Sequence, residues 1–335
     1  MTVTENDWQE LESPHSTPGR SSRLLYPDAP LEVLLAVSYP SRERMLVLRA
    51  GTDAVDHVVR AVGRLRRTAG IELQLSALSR LEYELQVVLT AGDLREVFNP
   101  LVTDVAETAR AAGTPKEALT ATVDRFERWQ ELLRTVGRDG LRAEARRGLY
   151  GELVVLERVL DALPEVTAVE SWTGPTGTNQ DFQLPWLAIE VKSSAAKQPR
   201  SIRVASERQL DDTGVPRLLL CLAVLDERRG GSGESLNARV RSLRERLTQA
   251  PARASLDRLL IQAGYLPTHQ GLYNEPRYVP RETCFWQVRE GFPRLADSDL
   301  PEGVSDCTYQ VSLTGLDAYR VPDEEVKRLM GESDE

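Results

Sequence analysis

Asp181-Phe182-Gln183-Leu184-Pro185-Trp186-Leu187-Ala188-Ile189-Glu190-Val191-Lys192 reads as a short hairpin, with an acid on one strand and Glu-x-Lys on the next. Side chains alternate faces along a strand. Glu190 and Lys192 therefore share one face, and Ile189 and Val191 turn into the core. Pro185 interrupts the run where a connection is needed. Two carboxylates and one lysine on a single sheet edge suit a divalent cation held beside a phosphate.

Upstream of this hairpin, a helix begins near Arg142. Its apolar stripe runs through Leu149, Leu153, Leu156, Leu160 and Leu163, and Pro164 ends it. Glu152 borders the stripe, where an acid can lean over the sheet edge. Val166–Trp172 reads as a strand, Gly174-Pro175-Thr176-Gly177 as a turn, and Asp181–Leu184 and Leu187–Ser193 as strands. A short helix is predicted around Ala205–Asp211. The apolar run Leu218–Leu225 reads as a strand buried on both faces. The order is α-β-β-β-α-β, followed by helices at 234–249 and 255–263 and strands near 281–289 and 307–313.

The N-terminal half has a different character. Residues 1–20, with Ser13-Pro14-His15-Ser16-Thr17-Pro18-Gly19, read as a flexible leader. Leu31–Val37 and Met45–Arg49 form a hairpin-like pair, and Gly70–Leu75 and Tyr83–Leu89 add alternating strands. Residues 21–92 are thus a β-rich domain. Helical spacing takes over at 93–137, broken at Gly113-Thr114-Pro115, where Thr114 suits an N-cap and Pro115 the first helical position. This pair reads as a connector to a domain over 138–320. Residues 321–335 read as an acidic tail.

Two domains are natural for 335 residues. No apolar run has the length of a membrane span, and the N-terminus lacks the basic and apolar regions of a signal peptide. Three widely spaced cysteines, Cys221, Cys284 and Cys307, read as buried thiols of a cytoplasmic protein. The net charge of −9 argues at first against a nucleic-acid partner. Residues 1–14 and residues 321–335 contribute −4 each, so the body is nearly neutral and the global charge excludes little.

Glu-x-Lys alone occurs about once by chance in a chain of this length and composition. Its context gives it weight: a strand setting, Asp181 across a tight turn and Glu152 on the preceding helix. Two carboxylates about 4 Å apart repel by about 4 kcal/mol at an effective dielectric of ~20. Lys192 offsets only one of three such charges, so the cluster calls for a cation. Oxygen ligands favour a hard ion, Mg²⁺ or Mn²⁺. Such an ion polarises a phosphate oxygen and lowers the pKa of a bound water, with Lys192 placed to position that water or offset developing charge.

Glu152, Asp181, Glu190 and Lys192 on this element order resemble the PD-(D/E)XK nuclease superfamily. The flanks Gly151-Glu152-Leu153, Trp172-Thr173-Gly174-Pro175, Ile189-Glu190-Val191-Lys192-Ser193, Gln209-Leu210 and Glu290-Gly291-Phe292-Pro293-Arg294 are similar to its bacterial DUF4420-type branch. The superfamily's proline before the aspartate is absent here, with Gln180 in its place. The resemblance implies an α/β (mixed α+β), restriction-endonuclease-like αβββαβ core behind the β-rich N-terminal domain. It also implies DNA cleavage in a restriction or phage-defence system, with an ATPase or methyltransferase as further partners. Asp181, Glu190 and Glu152 would be the metal ligands, and Lys192 and Gln209 would complete the catalytic set.

Each residue also has a plainer reading. Glu190 and Lys192 form an ordinary surface pair, Glu152 a solvated helix acid, Gln209 a surface amide, and Ser193 a strand end rather than a phosphate contact. Arg239, Arg241, Arg244 and Arg246 lie within residues 237–260, which carry +4; Arg239 and Arg244 are candidate DNA contacts, and a solvated face is the alternative. Gly230-Gly231-Ser232-Gly233 lacks the Gly-Lys-Ser/Thr of a phosphate loop. His15, His57 and His269 are too scattered for a triad or zinc site. Trp172, Trp186 and Trp286 read as core anchors. A nuclease-like fold that only binds DNA or assembles a complex is the competing function, and action on RNA or on DNA ends is a third.

Overall fold

The computed structural model describes residues 3–12, 18–56, 58–64, 70–136 and 140–332. His15, His57 and most of the Ser/Pro stretch of the leader lie outside them. The chain divides into two compact units, Met1–Arg138 with Leu266–Thr268, and Asp139–Tyr265 with His269–Glu335.

In the first unit, helix α1 (Glu5–Leu11) precedes strands β1 (Gly19–Leu24), β2 (Glu32–Tyr39) and β3 (Arg44–Gly51). Short helices α2 (Thr52–Val55) and α3 (Val59–Arg64) lead to β4 (Ile71–Ala77) and β5 (Glu82–Leu89). Helices α4 (Arg95–Arg110) and α5 (Pro115–Val136) follow. The strands form an antiparallel sheet in the order β1-β2-β3-β5-β4. The two helices belong to this unit rather than forming a separate connector. Asp104 on α4 accepts from Arg125 (2.8 Å) and Trp129 (2.8 Å) on α5, which fixes the pair through a buried carboxylate.

The leader is ordered where it is described. Trp8 and Leu11 are buried, and the Trp8 indole donates to Asn99 at 2.7 Å. Its acids are not a solvated run. Glu5 and Glu12 pair with the buried Arg44, and Asp7 and Glu10 pair with Arg23. Charge alone predicted disorder, but these acids meet guanidinium groups that the fold brings from β1 and β3.

The second unit opens with α6 (Ala143–Ala162) and α7 (Glu165–Glu170), then β6 (Phe182–Gln183), β7 (Ala188–Ser194), β8 (Ser201–Val204) and β9 (Leu218–Arg228). There follow β10 (Glu234–Ser235), α8 (Leu236–Arg246), α9 (Ala250–Gln262), β11 (Arg277–Val288), β12 (Tyr309–Ser312), β13 (Arg320–Val321) and α10 (Asp323–Gly331). The main sheet runs β10-β11-β9-β7-β6, with β13 on β11. β7 and β9 are parallel and the other pairs antiparallel. Leu218–Leu225 is buried at every position, as a central strand covered on both faces requires.

The α/β core expected from the resemblance is present, with corrections of detail. Val166–Trp172 is not a strand. Pro164 starts helix α7, Glu165 lies in its first turn, and Trp172 makes only an isolated bridge to Phe182. The Glu165 carboxylate accepts from the backbone N–H groups of Thr248 and Gln249 (2.9 and 2.8 Å), so tertiary bonds override a β-branched local sequence. The predicted helix at Ala205–Asp211 is a single 3₁₀ turn, Glu207–Leu210, and a strand precedes it. That strand, β8, pairs with β12 and sends Ile202 and Val204 into the core over the main sheet.

The acidic C-terminus is likewise structured up to Glu332. Val326, Leu329 and Met330 of α10 are buried, the Leu329 carbonyl accepts from the Trp186 indole at 2.9 Å, and Glu332 pairs with Arg217. Among the described residues no helix is long and apolar enough to cross a membrane.

Candidate active site

Register decides how the hairpin presents its acids. Phe182 pairs with Ile189 and Gln183 with Ala188, which sets Asp181 opposite Glu190. Residues opposed across an antiparallel pair share a face. Asp181, Gln183, Ala188, Glu190 and Lys192 therefore occupy one face of the sheet, together with Leu220 and Leu222 of β9. The turn that closes the hairpin is bonded in both directions between Leu184 and Leu187, at 2.8 and 3.3 Å.

A second turn clamps Asp181 from the other side. The N–H groups of Thr173 and Gly174 both donate to the Asp181 carbonyl at 2.9 Å. Its carboxylate oxygen Oδ2 accepts from the Val191 N–H at 2.7 Å. A Cβ on Gly174 would lie 2.7 Å from Oδ1, so only glycine lets this turn pass over the acid.

Lys192 Nζ donates to Glu190 Oε1 (2.7 Å) and to Gln209 Oε1 (2.9 Å). Gln209 Oε1 also accepts from the Ala205 N–H at 2.8 Å, which anchors the amide to the backbone. The lysine is thereby held by two oxygens on different elements. Glu190 is 1% exposed, and its Oε2 is buried with no hydrogen-bond partner. An orphaned carboxylate oxygen in this position carries a desolvation cost that a bound cation would offset.

Helix α6 brings Glu152 to the site. A Cβ on Gly151 would meet Ser193 Oγ at 1.9 Å and Ala223 Cβ at 3.4 Å, so α6 lies tight against the face opposite Glu190. Glu152 Oε2 accepts from the Trp172 indole N–H at 2.9 Å. Trp172 is a core anchor with a second task that its apolar bulk concealed in the sequence. The absence of a side chain at Gly151 makes this helix contact possible. Gly151→Ala should lower unfolding stability by about 1–3 kcal/mol, the range of overpacking. Urea unfolding measures this, and an unchanged midpoint would contradict the contact.

Burial raises the affinities of all three acids for protons, and repulsion from Asp181 adds to it at Glu152 and Glu190. Burial, helped by the charge of Asp181, pushes the Glu152 carboxyl up to about 8, against the Trp172 hydrogen bond. Burial lifts Asp181 to about 6, with the Val191 N–H and Lys192 opposing. Glu190 is raised well above the usual carboxylate range by burial and by Asp181. Fully ionised, the three would carry more negative charge than Lys192 offsets, which is why they hold their protons in the absence of a cation.

Among the described residues, no group of three or more His, Cys, Asp or Glu side chains is arranged to hold a metal ion. Of the expected trio of ligands, Glu152 is engaged by the Trp172 indole, although its carboxyl feels the charges of Asp181 and Lys192 and acts on Glu190. Asp181 and Glu190 remain as a pair. Their all-oxygen donor set and the orphaned Glu190 oxygen fit Mg²⁺ or Mn²⁺, since Mg²⁺ keeps several waters and binds through one or two carboxylates plus substrate phosphates.

Three other candidates lie apart from this pair. Ser193 Oγ is buried against Gly151 and cannot face a phosphate. Arg239 is buried, bonded to Glu157 at 2.7 Å, paired with Glu234 and set over the Tyr150 ring. It is a structural cation, because its burial and two acid partners leave nothing for DNA. Arg244 is ion-paired with Asp257 at 2.7 Å. Two residues were not anticipated. Gln180, in the place of the superfamily proline, is buried and donates to the Arg208 carbonyl at 3.0 Å. Glu207 is fully buried and accepts from the Cys307 N–H at 2.7 Å.

The family model described as "Putative PD-(D/E)XK family member (DUF4420)" matches residues 4–314. The chain belongs to the DUF4420 family. The match takes in the hairpin, α6 and the Trp172–Gly174 turn, and also the β-rich N-terminal unit. No curated protein and no solved structure matches the chain. Membership in a PD-(D/E)XK family implies nuclease-type chemistry, for which divalent metals are the general cofactor.

Proposed function

We propose that this DUF4420 protein is a metal-dependent endodeoxyribonuclease whose reacting phosphate is met on the face carrying Asp181, Glu190 and Lys192. One observation carries the reading: the buried Glu190, with an unpartnered oxygen, and the half-buried Asp181 stand beside a lysine that Gln209 holds in place. Asp181 and Glu190 would hold Mg²⁺ or Mn²⁺. When bound, such an ion supplies positive charge to a phosphate oxygen and makes a coordinated water more acidic.

The chain's own groups do the rest. The Val191 N–H and the Thr173–Gly174 turn orient Asp181. Gln209 keeps Lys192 Nζ at the Glu190 carboxylate, where its proton-rich head can offset negative charge that grows on the phosphorus oxygens. Glu152 stays outside the ligand pair and acts through the field that it exerts on Asp181 and Glu190. The competing reading, a nuclease fold that only binds DNA or assembles a complex, does not account for a lysine held by a dedicated glutamine against a buried acid. The restriction or phage-defence setting, with ATPase or methyltransferase subunits, rests on the family resemblance.

The test is conversion of supercoiled plasmid DNA by the purified chain. Nicked or linear product should form with Mg²⁺ or Mn²⁺, vanish with EDTA, and be absent for Asp181→Asn. Cleavage that persists in EDTA, or that survives in a folded Asp181→Asn variant, would remove the assignment.

A further inference from the structure

A cavity of about 400 Å³ is lined in part by Asn179, Gln180 and Gln183, which flank Asp181 in the sequence. Asn179 and Gln183 line it from the arms that flank the acid, Arg208, Thr213 and Val215 from the 3₁₀ turn and the loop after it, and Asp297 from a distant segment. Asp211 completes the rim. Gln183 shares the sheet face of Glu190 and Lys192 through its pairing with Ala188. At ~3.3 Å per residue along a strand, Gln183 stands about 7 Å from Asp181. On the other wall, Arg208 is followed directly by Gln209, which holds Lys192.

The lining limits what can enter. Two acids against one arginine make the cavity a poor seat for a phosphate or another anion. Val215 is the sole apolar side chain among those lining it, so a lipid or apolar ligand finds little to contact. What remains is a planar, neutral group with several hydrogen-bonding edges. Amides offer a donor and an acceptor at once, which is how Asn and Gln read a base edge, and a carboxylate accepts from an exocyclic amino group.

Arg208 supplies the plane. Its side chain is 51% exposed, and its nearest acid, Glu207, lies at 3.8 Å. The Glu207 carboxylate is meanwhile engaged by the backbone N–H groups of Asp306 and Cys307. A guanidinium so placed can stack on a base. Behind these groups, Gln180 fixes the wall, since it donates to the Arg208 carbonyl at 3.0 Å and accepts from Gln183 at 3.0 Å.

We propose that this cavity receives a single unpaired nucleobase, belonging to the same strand as the phosphate that meets Asp181 and Glu190. The inference rests on the nucleic-acid reading of the neighbouring site and deepens it into a specificity pocket. Extruding a base is least costly where it is mismatched, damaged or already single-stranded. The preferred substrate is therefore DNA with an unpaired nucleotide next to the cut.

The four deoxynucleoside 5′-monophosphates, titrated by NMR into the full chain in EDTA, test this without any cleavage. One base should bind about tenfold tighter than the weakest, the scale of one bidentate amide–base contact. Asn179→Ala and Arg208→Ala, both at exposed positions, should remove that preference, and Asp181→Asn should keep it. Equal affinity for all four, no binding, or a preference unchanged in Asn179→Ala and Arg208→Ala would overturn the proposal. Failure here leaves plasmid cleavage intact. Failure of the nuclease reading would instead leave base discrimination without any metal-dependent cutting.

Discussion

Lys192→Met should lower the rate of DNA cleavage by about 10²–10³-fold, the scale of losing one preorganised charge at a reacting centre. The chain should stay folded and still bind a divalent cation. Nζ touches Glu190 and Gln209, at 2.7 and 2.9 Å, and methionine keeps the length of the side chain while removing its charge. Cation binding should survive because the substitution removes a positive neighbour from the carboxylate pair. Gln209→Ala should produce a smaller fall, since it frees the lysine without deleting it. Single-turnover cleavage together with Mn²⁺ titration separates the two effects. A Lys192→Met rate within a few-fold of the wild type would mean that the lysine serves structure alone.

The second large effect is on stability, and its sign is opposite to that of an ordinary salt bridge. Asp181 and Glu152 hold their protons up to about 6 and about 8 in the folded chain, and Glu190 is also raised, against 3.8 and 4.5 for free side chains. A group whose folded pKa is raised stabilises the fold fully below its unfolded pKa, and that contribution is lost as the pH climbs through the folded value. The metal-free protein should therefore lose stability steadily from about pH 4 to pH 8. Mg²⁺ or Mn²⁺ should restore it, because a ligand that binds only the folded state stabilises it.

Glu190→Gln removes one of the buried charges and keeps the acceptor for Lys192. At pH 8 without metal it should melt several degrees above the wild type, as each kcal/mol moves Tm by about 2–4 °C in a domain of this size. At pH 4 the difference should close. Acids with lowered values, such as Glu84 at about 2, act in a more acidic window and do not mask the trend. A wild-type Tm that rises from pH 5 to pH 8 in EDTA would contradict the electrostatic account.

How much of this was legible beforehand depended on the range of the interaction. Period-two alternation put Glu190 and Lys192 on one face, and that needs only local sequence. The alignment of Asp181 with Glu190 needed the hairpin register, which the Leu184–Leu187 turn sets. Glu152 bordered the apolar stripe of α6 as expected, but its hydrogen bond to Trp172 joins residues 20 positions apart. The strand misassigned at Val166–Trp172 shows the same limit, because Thr248 and Gln249 draw Glu165 into a helix start. The acidic termini were misread for a different reason. Val326, Leu329 and Met330 carried helical spacing in plain view, and the charges around them obscured it. Arg239 and Ser193 looked like DNA contacts only because their partners, Glu157 and Gly151, are remote in sequence.

The central claim is that Asp181 and Glu190 form a cation site on the Lys192 face, with Glu152 outside it. Calorimetric titration of Mn²⁺ into the full chain at pH 8 tests this most directly. The account predicts saturable binding in the wild type, its loss in Asp181→Asn and in Glu190→Gln, and its retention in Glu152→Gln. No binding by the wild type, or loss in Glu152→Gln with retention in Glu190→Gln, would contradict it.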